Sequence, residues 1–393
     1  MADFRDSLKL TLYQLMYHLV RCAPASRGTD HLLLVKTDEI GDYVLMRNFL
    51  RLFRQMGPYR QYKITFVGNI AFRQLYESYD NDLADAVIWL DKKKFRSDLR
   101  YRFKLLMQIR RVKASDVISL VYSRIWRKDD VIVAVSPAPV KTGMKHNTRH
   151  VNPYEKRLTP AKIYTRLLDS GDDTLFDASR NARYIESLLQ IPPQPASTAI
   201  TPKADITRLA LPPGYFVVFP GSGIPEKKWP AAGFAAVTRH VVQRYGLTPV
   251  VCGAPGDRDD SNVFLREYAA PALDLTGKTS LPELLAVFAR ATCLVSVDTG
   301  SVHLAAAVGC PVFALYSGLH YGRFAPYPSG LAAHFYPVYP DEVDELLRER
   351  TPVDFETIPI DLLKTIPADK LIARIDAAWP GLPLSRTRTS TAF

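Results

Sequence analysis

The stretch that decides the fold is Leu294-Val-Ser-Val-Asp-Thr-Gly-Ser-Val-His-Leu-Ala-Ala-Ala-Val-Gly-Cys-Pro-Val-Phe-Ala-Leu-Tyr-Ser-Gly318. It opens with a β-branched apolar run, breaks at Asp298-Thr-Gly300 and resumes as a helix of small residues. Gly309 and Pro311 end that helix, and a second apolar run, Val312–Tyr316, follows. The pattern predicts a strand, a turn, a helix and a strand. Backbone N–H groups and the positive end of the helix dipole meet at the turn, which therefore suits an anion.

The rest of the second half repeats this alternation. The loop Pro220-Gly-Ser-Gly-Ile-Pro-Glu-Lys-Lys-Trp-Pro230 follows a buried-type strand and precedes a helix. The predicted strands are Tyr215–Phe219, Pro249–Cys252, Leu273–Leu275 and the two of the opening stretch, and the predicted helices include Ala232–Tyr245, Ser261–Tyr268, Leu281–Ala291 and Lys370–Ala378. Strands separated by helix-length segments indicate a parallel sheet.

The first half has the same pattern. It predicts strands His31–Val35, Ile64–Gly68, Ala86–Leu90 and Val117–Val121, and helices Tyr43–Gln55, Phe72–Tyr79, Phe95–Val112 and Tyr184–Leu189. Residues 141–170, basic and without periodicity, are predicted to form a long polar loop on the rim of a cleft.

A Pro/Ser/Thr-rich segment, Ile191–Pro202, divides the two halves. We therefore expect an α/β protein with an acceptor-binding domain over residues 1–195 and a donor-binding domain over residues 196–393, each doubly wound, facing one another across a cleft. The C-terminal tail could pack back on the first domain.

Composition sets the broad class. The chain has 393 residues, 47% hydrophobic and 23% charged, which is typical of a globular protein of two domains. No apolar run approaches the ~20 residues needed to cross a bilayer, the N-terminus lacks a signal-peptide pattern, and the four cysteines lack metal-ligand spacing. A cytoplasmic location is the expectation.

The net charge of +11 is unevenly distributed. Residues 1–200 contain 33 Lys and Arg against 21 Asp and Glu, whereas residues 201–393 contain 18 against 19. The first half is therefore expected to meet something acidic, such as nucleic acid, anionic lipid or a phosphorylated acceptor.

Two basic segments of the first half each have two interpretations. Residues 4–20 predict an amphipathic helix that either packs on its own domain or touches a membrane. The helix after Lys92-Lys-Lys94 carries Arg96, Arg100 and further cations, which form either a solvated face or a surface for an anionic partner.

Two loops of the second half are suited to a diphosphate. Gly221-Ser-Gly223 with Lys227 offers backbone N–H groups and a cation, and Asp298-Thr-Gly-Ser301 with His303 offers a helix N-terminus. Neither is a Walker motif or a dinucleotide fingerprint. Taken singly, Lys227 can be a solvated lysine, His303 a core histidine and Asp298 an N-cap.

The loop Lys36-Thr-Asp-Glu-Ile-Gly-Asp42 follows the first strand. Asp42 lies at a helix entrance, where it can cap the helix or act as a general base on an acceptor hydroxyl. Asp38 and Glu39 are two further acids of this loop, so the base has three candidates.

These motifs resemble glycosyltransferase family 9, the ADP-heptose:lipopolysaccharide heptosyltransferases and their relatives. The resemblance rests on residues 298–311, 220–230 and 36–42, in the family's order, over roughly residues 31–320. It implies a GT-B fold and an inverting, metal-independent sugar transfer from a nucleotide-sugar donor. The catalytic base falls on Asp42, and the phosphate-binding lysine on Lys227.

The resemblance also implies that Asp298, Thr299, Gly300 and His303 bind the donor. Ser222, Gly223 and Ser301 of the same loops are further donor-binding candidates, and the acceptor-binding candidates are Lys36, Asp38, Arg96, Arg100 and Arg323. Arg323 has an alternative interpretation as a residue that forms a salt bridge within its loop.

The implied partners are ADP-heptose as donor and an anionic glycolipid or polysaccharide, such as lipopolysaccharide, as acceptor. No cofactor, metal or nucleic acid is expected. Peripheral association with the inner face of the cytoplasmic membrane is expected. Segments 42–50 and 319–328 look more like those of family members from surface-polysaccharide clusters than like those of core heptosyltransferases. The rival functions are a nucleotide-sugar epimerase and a non-catalytic nucleic-acid- or membrane-binding protein.

Overall fold

The computed structural model describes residues 2–26, 28–146, 151, 153–159, 162–349 and 353–383. Contacts between residues divide the chain into two compact units. Unit 1 comprises Met1–Asp172 and Ser179–Pro195, and unit 2 comprises Asp173–Ala178 and Ala196–Phe393.

Unit 1 is built on a six-stranded parallel sheet. Its strands are β1 (His31–Lys36), β2 (Lys63–Asn69), β3 (Ala86–Leu90), β4 (Asp116–Ser119), β5 (Val140–Met144) and β6 (Arg166–Leu168). They lie in the order β3-β2-β1-β4-β5-β6. Because the first strand lies beside the fourth, the strand order reverses between β1 and β4, as in doubly wound folds.

The helices of this half are α1 (Ala2–Cys22), α2 (Ile40–Val44), α3 (Arg47–Leu50), α4 (Leu52–Gln55), α5 (Arg73–Tyr79), α6 (Lys92–Ser97), α7 (Leu99–Arg110), α8 (Val131–Val135), α9 (Pro153–Leu158) and α10 (Asp177–Leu189). A π-helical turn, Trp126–Asp130, precedes α8. α10 begins with residues of unit 2 and continues in unit 1.

Two helices predicted as continuous are interrupted. The segment predicted as Tyr43–Gln55 is instead covered by α2, α3 and α4, and the segment predicted as Phe95–Val112 divides at Asp98. Asp98 has an extended backbone, with φ −113° and ψ 107°, and its carboxylate accepts hydrogen bonds from the N–H groups of Arg100 and Tyr101. This is N-cap geometry, so Asp98 begins a new helix in the middle of the predicted one.

The prediction of a long loop over residues 141–170 is wrong. The segment contains most of β5, together with α9 and β6. β5 and β6 are the last two strands on one side of the sheet. Their sequences contain lysine, threonine and exposed residues, so they lack the regular apolar pattern on which strand prediction depends. Gly143 is needed within β5 because a side chain there would collide with the Tyr164 ring. Arg149 and His150, two of the basic residues behind the prediction, lie outside the described residues.

Unit 2 has a second six-stranded parallel sheet. Its strands are β7 (Tyr215–Phe219), β8 (Thr248–Val251), β9 (Leu273–Asp274), β10 (Leu294–Val297), β11 (Val312–Leu315) and β12 (Phe335–Val338), in the order β12-β11-β10-β7-β8-β9. The predicted α/β class with two doubly wound GT-B domains is confirmed. The sheet was expected to end at Val312–Tyr316, and β12, which pairs beyond it, was not predicted.

The helices of unit 2 are α11 (Ala231–Tyr245), α12 (Arg258–Tyr268), α13 (Leu281–Arg290), α14 (Gly300–Ala307), α15 (Asp341–Glu349) and α16 (Ala368–Ala378). The tail packs within this unit as far as it is described, because α16 lies against α11 and Trp379 stacks on Tyr245. Cys252, Cys293 and Cys310 are buried thiols, as their strand positions predict, and Cys22 is exposed. Every helix in the described parts of the chain is too short or too polar to span a bilayer.

Candidate functional site

In unit 2 the predicted donor residues follow two neighbouring strands. β7 pairs with β10, and the strand order reverses between them. The loop after β7 carries Gly221–Lys227, and the turn after β10 carries Asp298–Gly300. Ligands of open parallel sheets bind at the carboxyl ends of strands at such a reversal, so the fold brings both loops to the position expected of a ligand site.

Lys227 and Asp298 contact one another directly. The Lys227 Nζ lies 2.5 Å from the Asp298 Oδ2, and their side chains are 17% and 15% exposed. Lys227 lies in a short 3-10 turn, Pro225–Lys227, and Asp298 immediately precedes the start of α14. The pair therefore places a partly exposed ammonium group beside a helix N-terminus.

The N-terminus of α14 is fixed by a chain of hydroxyl groups. Thr299, not Asp298, is the N-cap residue, and its Oγ1 lies 2.7 Å from the Ser301 Oγ. The Ser301 Oγ lies 3.1 Å from the Ser296 Oγ, and Ser296 donates to the carbonyl of Phe219 on β7. The first N–H groups of a helix have no partner within the helix, so those of α14 are available to donate to an anion. The hydroxyl chain holds the turn that carries them in place.

The Gly-Ser-Gly loop has one crowded and one open glycine. A Cβ on Gly221 would lie 2.5 Å from the Asp257 side chain, whereas one on Gly223 would meet nothing within 4 Å. The buried Ser222 accepts a hydrogen bond from the Ile224 N–H at 3.2 Å. Gly221 thus permits close packing of two loops, and Gly223 leaves room for a ligand.

His303 and Arg323 lie among aromatic and acidic neighbours. The buried His303 ring lies with its Nδ1 2.7 Å from the Tyr327 hydroxyl and packs beside Phe324. Arg323 is 6% exposed, and its Nε and Nη2 bind the two carboxylate oxygens of Asp177 at 3.2 and 3.1 Å. In this structure Arg323 is in a salt bridge, and His303 is part of a buried aromatic cluster.

In unit 1 the loop after β1 carries a buried ion pair. The Lys36 Nζ donates to the Asp38 Oδ2 at 2.9 Å and to the Leu120 carbonyl at 3.2 Å. The other oxygen of Asp38 is buried without a hydrogen-bond partner. Burial raises the pKa of Asp38 to about 7; Lys36 opposes this rise and the charge of Asp42 adds to it.

The three acids of this loop have different partners. Glu39 pairs with Lys92 and Asp38 pairs with Lys36. The N-cap residue of α2 is Glu39 and not Asp42. Asp42 is the third residue of the helix; it accepts a hydrogen bond from the Glu39 backbone N–H at 3.1 Å and forms no ion pair with any described residue. Of the three carboxylates, Asp42 is therefore the one that is not neutralised by a cation in the described parts of the chain.

Sequence reasoning missed the residues that hold this loop in place. Thr37 donates to Asp129 at 2.5 Å, and the Asn69 side-chain amide donates to the Asp38 carbonyl at 2.8 Å. Asn69 is the last residue of β2. A polar residue at the carboxyl end of a strand next to β1 was the sequence signal that could have identified it as a partner of this loop. Asp129 lies in the π-helical turn, which no sequence period indicated.

The remaining predicted acceptor residues are surface cations. Arg96 on α6 and Arg100 on α7 are exposed and form no ion pair with a described carboxylate. The described residues also contain no cluster of three His, Cys, Asp or Glu side chains that could hold a metal ion.

Comparisons with known proteins identify relatives of the chain. Residues 127–334, more than half of the chain, match the sequence model described as glycosyltransferase family 9 (heptosyltransferase). The lipopolysaccharide heptosyltransferase 3 of Escherichia coli is 28% identical over 180 residues, which are 45% of this chain and 49% of that protein. The chain thus spans about half or less of the length of the curated relatives it matches.

Two solved structures share the fold. A glycosyl transferase family 9 protein of Veillonella parvula superposes with a TM-score of 0.65 at 20% identity, covering 90% of this chain and 98% of that one. The E. coli heptosyltransferase WaaC, solved with ADP, superposes with a TM-score of 0.58 at 18% identity, covering 90% and 99%. At these identities the likeness concerns the fold alone.

Proposed function

Because the chain belongs to glycosyltransferase family 9, we propose that it transfers a heptose-type sugar from ADP-heptose to lipopolysaccharide or a related surface glycan. The transfer inverts the anomeric carbon and uses no metal ion. The protein acts in the cytoplasm at the inner face of the cytoplasmic membrane, because its acceptor is a glycolipid.

The observation that carries the proposal is the Lys227–Asp298 contact at the start of α14. When the bond from the anomeric carbon to the diphosphate breaks, negative charge develops on the departing phosphate oxygens. Lys227 and the N–H groups of the helix N-terminus would stabilise that charge, and fixed donors of this kind lower such barriers substantially. Once a phosphate replaces Asp298 as the partner of Lys227, this arrangement would supply the positive charge that a metal ion supplies in other enzymes.

The attack requires a base, and Asp42 is the best placed of the three acids. An acceptor hydroxyl bonds to the anomeric carbon as the diphosphate leaves, and its proton passes to the Asp42 carboxylate. Asp42 has no cation to compete for its oxygens among the described residues, whereas Asp38 and Glu39 are each paired with a lysine. A base whose lone pairs are free can reach an incoming hydroxyl.

The choice of donor is supported by relatives. WaaC was solved with ADP and with ADP-2-deoxy-2-fluoro heptose. On this basis we propose ADP-heptose as the donor. Lys36 and Asp38, which lie in the same loop as Asp42, would contact the acceptor. Arg96 and Arg100 would meet its anionic groups.

A nucleotide-sugar panel tests the proposal. Thermal unfolding is followed with ADP-, GDP-, UDP- and CMP-linked sugars, and ADP-heptose is expected to stabilise the protein most. A ligand at a hundredfold excess over its Kd adds about 2.7 kcal/mol to the free energy of unfolding. Release of ADP should then require a lipopolysaccharide acceptor that lacks the added sugar.

Two results would contradict the proposal. If no nucleotide sugar raised the unfolding temperature, the proposed donor site would be contradicted. Conversion of the donor at full rate without any acceptor would instead favour the epimerase.

A further inference from the structure

Helix α1 has two apolar faces, and only one is packed. Leu10, Tyr13, Tyr17 and Val20 are buried against unit 1, with Tyr17 edge-on to Trp126. On the opposite face lies a leucine stripe consisting of Leu8, Leu12, Leu15 and Leu19, which are 55%, 41%, 58% and 59% exposed. Their spacing of four, three and four residues places them on one line along the helix. Packing within the unit therefore explains only half of the apolar residues of this helix.

The leucine stripe is part of a wider concentration of exposed apolar side chains. Of the eleven large hydrophobic side chains that are exposed among the described residues, four are those of the stripe and two, Leu99 and Phe103, lie on α7. α7 packs against α1, and its Arg102 lies over the Tyr13 ring. Concentrations of this kind mark interaction sites more often than scattered surface leucines do.

A cavity surrounded by basic residues lies beside this helix pair. It has a volume of about 200 Å³ and includes Tyr13 of α1 in its wall. Six basic side chains line it: Lys92, Lys93, Arg96, Arg102, Arg127 and Lys128. Only Lys92 and Arg127 pair with a described carboxylate, those of Glu39 and Glu155. The surface that faces the cavity is mostly apolar, so these side chains line it chiefly with carbon atoms, and the excess of positive charge lies around the cavity.

Arg102 shows that this excess reaches the interior. It is 1% exposed, and its guanidinium lies between the rings of Tyr13 and Phe95, at 3.8 and 4.1 Å. Its Nη1 donates to two backbone carbonyls, but its Nε and Nη2 have no hydrogen-bond partner in the described structure. Burial lowers the pKa of Arg102 to about 10. Burial, together with repulsion by Lys92, also lowers the pKa of Lys128. A buried cation without an anion is costly, and the rings of Tyr13 and Phe95 offset part of that cost.

We propose that α1, with the adjoining cations of α6 and α7, docks the protein on an anionic phospholipid membrane. The leucine stripe enters the boundary between headgroups and acyl chains, as the apolar face of an interfacial helix does. The exposed cations of α6 and α7 contact the lipid phosphates. The inference rests on the proposed membrane-surface function and names the surface responsible.

An anionic membrane fits both features, whereas other partners fit only one. A second copy of the chain could cover the leucines, but it would bring two strongly basic α6–α7 surfaces together. A nucleic acid would satisfy the cations but would leave four leucines in water. Phospholipid offers an apolar layer directly beneath a layer of phosphates.

Vesicle sedimentation with the full-length chain tests the docking surface. Wild-type protein should sediment with vesicles of phosphatidylglycerol and phosphatidylcholine, and much less with phosphatidylcholine alone. The double variant Leu15→Gln/Leu19→Gln removes two of the most exposed leucines without touching the packed face, and should lose most binding. The matched control Ile224→Gln/Val263→Gln changes two exposed apolar residues of unit 2 and should bind like wild type.

Charge variants test the cations separately. Lys93→Gln/Arg96→Gln should weaken binding to the anionic vesicles roughly 25-fold, because each juxtamembrane cation contributes about fivefold. Arg290→Gln/Lys364→Gln removes two exposed cations of unit 2 and is the matched control. Added salt should weaken wild-type binding and bring it toward that of the charge variant.

Several outcomes would overturn the inference. Unchanged vesicle binding in the leucine variant would show that α1 does not dock on the membrane. A dimer of the wild-type protein in solution that this variant abolishes would show that a second copy covers the leucine stripe. Tight RNA binding by wild type without vesicle binding would assign the cations to nucleic acid. Vesicle binding without stabilisation by any nucleotide sugar would instead leave the docking surface standing and count against the proposed transfer.

Discussion

The two sheets have the same strand order, but the loops at their reversal points carry different chemistry. In each unit the first strand lies beside the fourth, β1 beside β4 and β7 beside β10. The loop after β1 carries three carboxylates within Asp38–Asp42, whereas the loops after β7 and β10 carry glycines, hydroxyls and Lys227. One topology thus carries the proposed proton acceptor in unit 1 and the proposed anion-binding groups in unit 2.

The difference shows that the fold provides a position and the loop residues decide its use. In both units a lysine and an aspartate pair at the reversal: Lys36 with Asp38, and Lys227 with Asp298. The Lys36 side chain is 3% exposed and the Lys227 side chain is 17% exposed, whereas their aspartate partners are similarly accessible, at 19% and 15%. The two lysines therefore differ: the buried Lys36 is suited to holding its loop, and the more accessible Lys227 can exchange its partner for a ligand.

The largest expected effect comes from removing the proton acceptor of unit 1. Asp42→Asn should reduce sugar transfer by roughly 10³-fold, since a general base typically contributes 10²–10⁴-fold. Stabilisation by ADP-heptose should persist, because the donor loops belong to unit 2. Glu39→Gln is the matched variant, and its loss should be much smaller because Glu39 is already paired with Lys92. Full transfer by Asp42→Asn would exclude it as the base and direct attention to Asp38.

The next effect should appear in unit 2. Lys227→Ala should lower the rate of transfer by roughly 10²-fold, as the loss of one charge-stabilising donor does. It should also diminish the rise in unfolding temperature caused by ADP. Lys228→Ala is the control, because Lys228 pairs with Asp260 at 2.7 Å and should matter little to the donor. Equal effects of the two substitutions would mean that the loop needs only positive charge, and not Lys227 in particular.

The sequence predicted the features that depend on neighbours in the chain. Buried strands, and turns such as Asp298–Gly300, have a local signature in apolar runs and small or polar residues, so most strands and the loops after β1, β7 and β10 were predicted. The edge strands β6 and β12, and β5 beside β6, were not predicted, because their sequences carry polar or half-exposed residues and they become strands by pairing within the sheet.

Contacts between distant residues could not be read from the sequence. Lys227 and Asp298 are 71 residues apart, and Glu39 and Lys92 are 53 apart. Which of three acids is paired and which is free is therefore a property of the folded unit. The same holds for Asp98, whose role as a cap divides a segment with a continuous helical period.

A smaller effect, in the shape of the pH profile, should come from Asp38. Its pKa is raised to about 7 by burial, so it loses its proton as the pH rises through neutrality. The fully ionised pair of Asp38 and Asp42 attracts the acceptor's proton more strongly than the half-protonated pair, so the rate should rise with pH through about 7. Asp38→Asn should remove that step from the pH–rate profile, whereas the exposed Asp82→Asn should retain it. If the rise in rate near pH 7 persists in Asp38→Asn, it reports the titration of a group other than Asp38.

The smallest effect should separate the two glycines of the donor loop. Gly221→Ala forces a Cβ to within 2.5 Å of Asp257, so its thermal midpoint should fall. Gly223→Ala points its Cβ into open space, and its free energy of unfolding should stay within about 0.5 kcal/mol of wild type. If the donor diphosphate approaches the loop backbone there, Gly223→Ala should nevertheless raise the KM for the donor, because the new methyl group occupies the ligand's space. An unchanged KM in Gly223→Ala would place the diphosphate on the α14 turn and Lys227 without this loop, leaving Gly221 a packing role alone.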